Sequence, residues 1–385
     1  MGQPDGCGSQ AETPPIMLRS LLLALVTTAT GLLATSCTPA VRMNQVQVIG
    51  THNSYHLVAH DSLLTLMNQR RPGLAQTLEY SHRPLPEQFA RLGIRQIELD
   101  LFADPQGGLY AEPRGNQIAA MLGLPTGPNH DPSGLLRQPG LKVLHVQDID
   151  FRSTTLTFVA ALRQVREWSA QHPRHFPICI LVELKDEAMA PEFTQPVPFG
   201  EDELAAVEAE ILSVFKRREI LKPDDIRGTF STLPAALAKR GWPRLDAVRG
   251  KVMFALNNGG RVRDLYLENH PALQGRLMFV SVDEAHPAAA WMKVNDPVAG
   301  FERIQGLVQA GFLVRTRADA DTVQARTNDP TQRERALASG AQFISTDYPE
   351  PNPAFSEYRV RLEDGIVVRN NPLNGNPALN GQELE

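Results

Sequence analysis

Short runs of β-favouring apolar residues recur along the chain from residue 43 onward, and amphipathic stretches separate them. This alternation is typical of βα units built around a parallel sheet. Eight such runs can be counted, and eight strands with intervening helices favour a closed (β/α)8 TIM barrel, a single α/β domain, over an open sheet. The predicted strands are 46–50, 94–102, 142–146, 178–184, 251–256, 277–282, 311–315 and 341–345.

The composition of the whole chain is that of a soluble globular protein. Of the 385 residues, 42% are hydrophobic and 21% are charged, so the chain can bury a large core. A formal net charge of -5 gives no electrostatic reason to expect a nucleic acid partner. We expect a monomer, with the barrel domain at 44–372 and a disordered tail at 373–385.

The N-terminal segment, residues 1–37, contains the layout of an export signal. Arg19 precedes an apolar stretch at 21–33 that is short for a membrane span, and small residues then lead to Cys37. This end looks like a bacterial lipoprotein processing site, so we expect an exported outer-membrane or periplasmic lipoprotein with a lipidated Cys37. Ala34 is less common than leucine at its position, which keeps ordinary secretion open; an uncut anchor helix is the third alternative.

Polar residues stand at the carboxyl ends of the first four predicted strands, where the catalytic groups of TIM barrels lie. Along 97–101 and 181–185, charged residues alternate with apolar ones, so strand periodicity turns them to one side of the sheet. These strand-end residues are His52 and Asn53, Glu98 and Asp100, His145, and Glu183 with Lys185.

The three acids at this rim indicate a bound cation. A buried carboxylate without a partner is costly or is neutralised by a raised pKa. The proposed ligands Asn53, Glu98, Asp100 and Glu183 all offer oxygen, which favours a hard cation, Ca2+ ahead of Mg2+, over zinc. The two histidines then remain for acid/base work or for hydrogen bonding to a transition-state oxygen.

Other features near these strand ends have two interpretations. The long Gly/Pro-rich segment 104–141 is either a lid or substrate wall, or an ordered surface excursion. His56 and His60 continue a spacing of four from the first histidine, but the glutamate of a zinc-protease motif is missing, so we interpret them as non-ligands. For Asp148 and Asp150, beyond the third strand, we expect solvation in a loop rather than metal binding.

The ordered set of motifs resembles the catalytic half of phosphoinositide-specific phospholipases C, most closely their calcium-dependent bacterial and fungal branch. The motifs are His-Asn-Ser-Tyr at 52–55, Glu-Leu-Asp at 98–100, a strand-end histidine at 145 and an acid at 183. The resemblance covers roughly residues 44–372, including Ser-Thr-Asp-Tyr at 345–348 and Arg-Asn-Asn-Pro at 369–372. It implies that His52 and His145 are catalytic and that calcium is bound by Asn53, Glu98, Asp100 and Glu183.

The resemblance also implies a mechanism. Ca2+ would hold a phosphodiester oxygen and lower the pKa of the inositol 2-hydroxyl, which attacks phosphorus in line and forms a cyclic phosphodiester as diacylglycerol leaves. His145 would protonate the leaving oxygen, His52 would bind the developing negative charge, and Glu98 or Glu183 would accept the hydroxyl proton. Hydrolysis of the cyclic product stays open. The expected substrate is a phospholipid, or another phosphodiester, at a membrane surface.

Four more residues are candidates for substrate binding: Lys185, Arg315, Arg317 and Tyr348. The three cations could clamp phosphate or inositol hydroxyls, since the two arginines share one face at the end of the seventh strand. Ion pairs with Glu183 or Asp319 are the alternative for each cation. The tyrosine either stacks on a sugar or inositol ring or packs at the rim of the barrel.

Two other functions stay open at this point. A glycerophosphodiester phosphodiesterase shares the barrel, the metal and the paired histidines but normally begins with His-Arg-Gly, and Asn53 in place of the arginine disfavours it. The other is a catalytically silent lipid- or sugar-binding surface lipoprotein, against which the intact His52 and His145 argue.

Overall fold

The computed structural model describes residues 41–385 together with Gln10 and Glu12. The predicted export signal and the predicted lipidation of Cys37 lie outside the described residues. The strands are β1 (Val46–Thr51), β2 (Gln96–Phe102), β3 (Lys142–Val143), β4 (Ile178–Leu184), β5 (Val252–Leu256), β6 (Met278–Val280), β7 (Trp291–Lys293), β8 (Leu313–Arg317), β9 (Phe343–Thr346) and β10 (Val368–Asn370). The helices are α1 (Asp61–Arg70), α2 (Leu85–Leu92), α3 (Arg114–Met121), α4 (Phe158–Gln171), α5 (Glu201–Val214), α6 (Pro223–Arg227), α7 (Leu233–Arg240), α8 (Leu245–Val248), α9 (Gly260–Leu267), α10 (Phe301–Gln309), α11 (Val323–Thr327) and α12 (Thr331–Ala338).

Eight parallel strands form the barrel, in the order β6-β5-β4-β2-β1-β9-β8-β7. At the seam between β6 and β7, the backbone amide of Lys293 donates a hydrogen bond to Ser281 Oγ at 3.0 Å. Every residue of β1, β2 and β5 is buried, and a fully buried Val, Ile or Leu side chain contributes about 1.5–3 kcal/mol. The predicted TIM barrel and the number of its strands are therefore confirmed.

The identity of one barrel strand was predicted wrongly. Residues 142–146 do not form the third barrel strand: only Lys142–Val143 are extended, and they pair antiparallel with the end of β2. β2 instead pairs directly with β4. The eighth place belongs to β7, which the sequence did not reveal because it has three residues and follows Ala288–Ala290, a helix-favouring run.

The C-terminal tail packs on the barrel, so the predicted disorder of residues 373–385 is wrong. β10 pairs antiparallel with β1, and the Leu384 amide donates to the Val368 carbonyl at 3.0 Å. Glu385 forms an ion pair with Arg95 and accepts a hydrogen bond from the Phe176 amide at 2.9 Å. These long-range bonds, which composition does not reveal, hold the tail against the amino-terminal end of the sheet.

The segment after β2 is ordered and is bonded to the loop after β3. Between residues 104 and 141 it contains α3, whose first turn is tied to the loop after β3: the Gly115 amide donates to the Asp148 carbonyl at 3.0 Å. A side chain at Gly115 would collide with that carbonyl, so glycine permits the close approach. None of the helices in this described part of the chain has the length and apolarity to cross a bilayer.

Candidate active site

The carboxyl ends of the barrel strands bring most of the predicted site residues to one rim, as the fold requires. β1 is followed by His52 and Asn53, β2 carries Glu98 and Asp100, and β4 carries Glu183 with Lys185 after it. His145 reaches the same rim from the loop after β3 rather than from a barrel strand. The residues that other strand ends add are Asn257, Lys293, Arg315, Arg317 and Asp347.

Three carboxylates form a cluster that suits a cation. Oxygens of Glu98, Asp100 and Glu183 all lie within 4.8 Å of one another. Burial raises the pKa of Asp100 well above its usual range, and the Glu183 and Glu98 charges raise it further, while Lys185 opposes them. Asp100 Oδ1 is buried and has no hydrogen-bond partner among the described residues. A carboxylate oxygen in that position fits a bound cation, because a cation would coordinate this oxygen and offset the repulsion among the three carboxylates.

Asn53 is held in a conformation that frees its oxygen. Its backbone lies in the left-handed region, with φ of 43°, which asparagine tolerates better than most residues. The side-chain nitrogen donates to the Tyr80 hydroxyl at 2.9 Å, so the carbonyl oxygen is left for a cation. The next residue, Ser54, bonds to the Glu98 backbone through both its amide and its hydroxyl at 2.9 Å. These bonds place the turn that carries Asn53 against β2, beside the acids.

Asn257, at the end of β5, holds two of the acids and was not predicted. Its side-chain nitrogen donates to Glu98 Oε1 at 2.9 Å and to Glu183 Oε2 at 2.7 Å. Its own Oδ1 is a second buried oxygen without a hydrogen bond in the described part of the chain. The available signal was an asparagine at a strand end, but asparagine is common in such turns and does not by itself indicate a site.

Arg315 lies beneath the acid cluster rather than facing the cleft. Only 1% of its side chain is exposed, and it donates to Glu98 Oε2 at 2.7 Å and to Asn295 Oδ1 at 2.6 Å. Burial alone would raise the pKa of Glu98, but the positive charges around it, of which Arg315 is the largest contributor, together lower the pKa. Arg315 pairs with Glu98 and not with either predicted partner, Glu183 or Asp319. This burial argues against direct contact between Arg315 and a substrate.

His52 is oriented by a carboxylate from β9's end. Its Nδ1 lies 2.8 Å from Asp347 Oδ1, and Arg317 donates to Asp347 Oδ2 at 2.9 Å. Arg317 Nη1 lies 3.4 Å from the other imidazole nitrogen, Nε2. Burial alone would raise the pKa of Asp347, but His52 and Arg317 lower it below its usual range. Arg317 is therefore paired with Asp347, and only its bond to the Asp319 backbone carbonyl, at 3.0 Å, involves the predicted partner.

Asp319 is buried near Asp347, and its ionisation is expected to make the stability of the protein depend on pH. Burial and the Asp347 charge raise the pKa of Asp319 to about 7. Since that exceeds the ordinary value of about 3.9, the stability associated with the bound proton is complete below pH 4 and is lost as pH rises toward 7, by up to about 1.4 kcal/mol per pH unit. Asp319→Asn removes this dependence. The free energy of unfolding in urea is measured for Asp319→Asn and for wild type, and the variant's value minus the wild-type value should be about 2 kcal/mol larger at pH 8 than at pH 5. The same difference at both pH values would contradict the prediction.

His145 is held in the same manner by a different carboxylate. Its Nδ1 lies 2.7 Å from Asp150 Oδ2, and His56 Nε2 lies 2.9 Å from the same carboxylate. Burial lowers the pKa of His145, while the hydrogen bond to Asp150 acts in the opposite direction. Asp150 is fully buried, so the expected loop solvation is wrong for it. With Nδ1 fixed, Nε2 of His145 is available for proton transfer.

His56 links the two halves of the site. Both of its ring nitrogens are bonded, Nδ1 to the Tyr80 carbonyl at 3.0 Å and Nε2 to Asp150. Its ring stacks on Tyr80 with 4.3 Å between centroids, and Tyr80 is the residue that holds the Asn53 amide. The chain of contacts from Asn53 to His145 thus runs through two buried aromatic rings, which fix the spacing of the predicted ligand and the predicted acid/base group.

Of the remaining predicted substrate residues, Lys185 is partly accessible and Tyr348 is not. Lys185 Nζ lies 3.4 Å from Asp100 Oδ2 and 3.9 Å from Glu183 Oε1. Lys185 therefore forms the ion pair that was the alternative to substrate binding. Tyr348 is buried and packs edge-on against neighbouring aromatic rings, as a rim aromatic would. Lys293, which donates to the Asn257 carbonyl, adds a cation that was missed together with β7.

A cluster of carboxylates lies beside two carboxylate-held imidazoles at the carboxyl rim of this TIM barrel. Carboxylates that can hold a cation, together with imidazoles, are groups suited to metal-assisted cleavage of a phosphodiester. The chain belongs to the Ca2+-dependent phosphoinositide phospholipase C family, whose sequence model matches residues 41–372. The resemblance seen in the motifs is therefore confirmed at the level of the family.

The solved structures that match this chain include proteins from two bacteria. A calcium-dependent phosphoinositol-specific phospholipase C from a Gram-negative Pseudomonas species is 14% identical, with 86% of this chain and 97% of that chain covered and a TM-score of 0.48. A Ca2+-dependent phosphatidylinositol-specific phospholipase C from Streptomyces antibioticus is 18% identical, with 80% and 96% covered and a TM-score of 0.45. No curated protein matches the chain in sequence.

Proposed function

We propose that the protein is a calcium-dependent phospholipase C that cleaves phosphatidylinositol-type lipids to diacylglycerol and a cyclic inositol phosphate. The single observation that carries the proposal is the unsatisfied, buried Asp100 oxygen within a carboxylate cluster at the rim that also holds His52 and His145. A hard cation and two imidazoles are the groups that activation of a hydroxyl toward a phosphodiester needs.

Four oxygen donors would hold the cation: Asn53, Glu98, Asp100 and Glu183. When bound, Ca2+ would supply the positive charge that holds a phosphate oxygen and favours ionisation of a neighbouring hydroxyl. Both oxygens of Glu98 are already bonded, to Arg315 and Asn257. Glu98 is therefore a weak candidate for accepting a proton from the substrate.

Glu183 is the better candidate for the base, because its side chain is one-third exposed and its Oε1 has only a distant contact, with Lys185. In the proposed reaction the inositol 2-oxygen forms a bond to phosphorus as the bond from phosphorus to the glycerol oxygen breaks. Glu183 takes the proton of the attacking hydroxyl, and His145 gives a proton from Nε2 to the leaving oxygen. His52, with Arg317 beside its Nε2, faces the charge that develops on the phosphate.

The decisive assay compares two substrates with and without calcium. We expect the purified protein to cleave phosphatidylinositol in Ca2+ and to lose at least about 100-fold of that rate in EGTA, since the charge that stabilises the transition state is removed. The measured quantities are the release of diacylglycerol from phosphatidylinositol and the loss of intact glycerophosphoinositol. Activity on glycerophosphoinositol alone would establish a glycerophosphodiester phosphodiesterase instead, and absence of cleavage of either compound would favour a silent lipid- or sugar-binding protein.

A further inference from the structure

An apolar groove is lined in part by Ile149, on the loop that carries the proposed general acid, His145. It has a volume of about 310 Å³, at the lower end of the range of about 300–1,000 Å³ for small-molecule sites. Its walls come from α1, α3, the loop after β3 and the segment after β4. The residues that define this groove are Leu66, Met67, Ile118, Ile149, Met189 and Phe193.

The walls of the groove are fastened to the loop that carries His145. The Asp148 carboxylate accepts bonds from the Arg114 amide at 2.8 Å and from the Thr194 amide at 2.6 Å and hydroxyl at 2.9 Å. These bonds hold both the start of α3 and the segment after β4 against the Asp148 side chain. Asp148 is thus buried and structural rather than solvated as predicted. Ile149, the next residue, lines the groove and directly precedes Asp150, which holds His145.

The groove continues outward into exposed apolar side chains. Beyond Ile118, α3 ends in Met121 and Leu122, which are 68% and 60% exposed, and Met189 on the opposite wall is 40% exposed. Large apolar side chains that are exposed together around a groove mark a site for an apolar ligand or surface. One end of the apolar surface therefore meets solvent, and the other meets the loop of the general acid.

We propose that this groove binds one acyl chain of the lipid substrate and guides the diacylglycerol leaving group. The inference rests on the proposed function. His145 protonates the glycerol oxygen, so the glycerol and its acyl chains must lie on the His145 side of the phosphate, and Ile149 of the loop that carries His145 lines the groove. The groove has no role in binding the inositol phosphate, so it sets the preference for the leaving group.

The test uses water-soluble lipids of different chain length, below the concentrations at which they form micelles. For wild type, we expect kcat/KM to be about tenfold higher for dihexanoyl- than for dibutanoyl-phosphatidylinositol. The one acyl chain in the groove is longer by two methylenes, and each fully buried methylene raises kcat/KM by roughly fourfold at most. Ile118→Glu should reduce that ratio to about 1. The matched control is Leu212→Glu, which places the same charge at an exposed leucine on α5 and should keep the wild-type ratio.

Each outcome separates the groove from the proposed reaction. A chain-length ratio near 1 in wild type, or an unchanged ratio in both Ile118→Glu and the second groove variant Met189→Glu, would overturn the acyl-chain site. If wild type cleaves no inositol lipid, the proposed function fails, and equilibrium binding of dihexanoylglycerol decides about the groove: binding that Ile118→Glu abolishes supports it, and no binding overturns it. Self-association in sedimentation that is lost in Ile118→Glu would assign the groove to a second copy, and so overturn the proposal.

Discussion

Replacing His145 by alanine is expected to lower kcat on phosphatidylinositol by about 10²–10⁴-fold, with little change in KM. The imidazole is held at Nδ1 by Asp150, at 2.7 Å, and presents Nε2 to the cleft. Its proton matters as the bond from phosphorus to the glycerol oxygen breaks, because an alkoxide is a poor leaving group. The loss should therefore appear in the chemical step and not in the binding of substrate.

A substrate with a better leaving group distinguishes proton donation from other roles of His145. On an inositol phosphodiester with a nitrophenol leaving group, which departs without protonation, the variant should lose much less activity than on the lipid. His172→Ala is the matched control, since His172 is exposed and lies between α4 and β4, at the opposite end of the barrel. An equal loss on both substrates would show that His145 is not the general acid.

The part of the fold that local pattern can encode was predicted, and the part that depends on distant contacts was not. Long strands such as β2 and β4 were recognised, because apolar residues either alternate with charged ones, as in β2, or run almost without interruption, as in β4. β7 is too short to show a period. The run at 142–146 resembles a barrel strand, although only Lys142–Val143 are extended and they pair with the end of β2. Whether such a run enters the barrel is decided by its neighbours in space.

The same division applies to the candidate site. Charged residues at the ends of strands are visible in the sequence because the fold places those ends together. The groups that orient them are separated widely along the chain: Asp347 is 295 residues from His52, and Asn257 is 159 residues from Glu98. No local spacing indicates such pairs, so the orientation of the imidazoles and the acids required the structure.

Replacing Asp100 by asparagine is expected to separate calcium binding from stability. The substitution should weaken Ca2+ binding by at least about 100-fold and abolish most activity, because it removes a charged ligand from the cluster. In EGTA at pH 7.5 the variant should nevertheless unfold at a higher temperature than wild type. Burial and the Glu183 charge raise the pKa of Asp100, so ionisation of this carboxyl in the metal-free protein reduces stability as pH rises above its unfolded-state value.

Two measurements test both halves of this prediction, calcium titration and thermal unfolding in EGTA or Ca2+. Wild type should gain about 2.7 kcal/mol when Ca2+ is present at 100 times its dissociation constant, whereas Asp100→Asn should gain almost nothing at that concentration. Glu187→Gln is the matched control, an exposed carboxyl two residues beyond Lys185, and it should follow wild type in both measurements. Wild-type calcium affinity in Asp100→Asn would place the metal elsewhere. A lower unfolding temperature than wild type in EGTA would mean that Asp100 stabilises the metal-free fold, contrary to the repulsion among Asp100, Glu98 and Glu183 on which the cation site is argued.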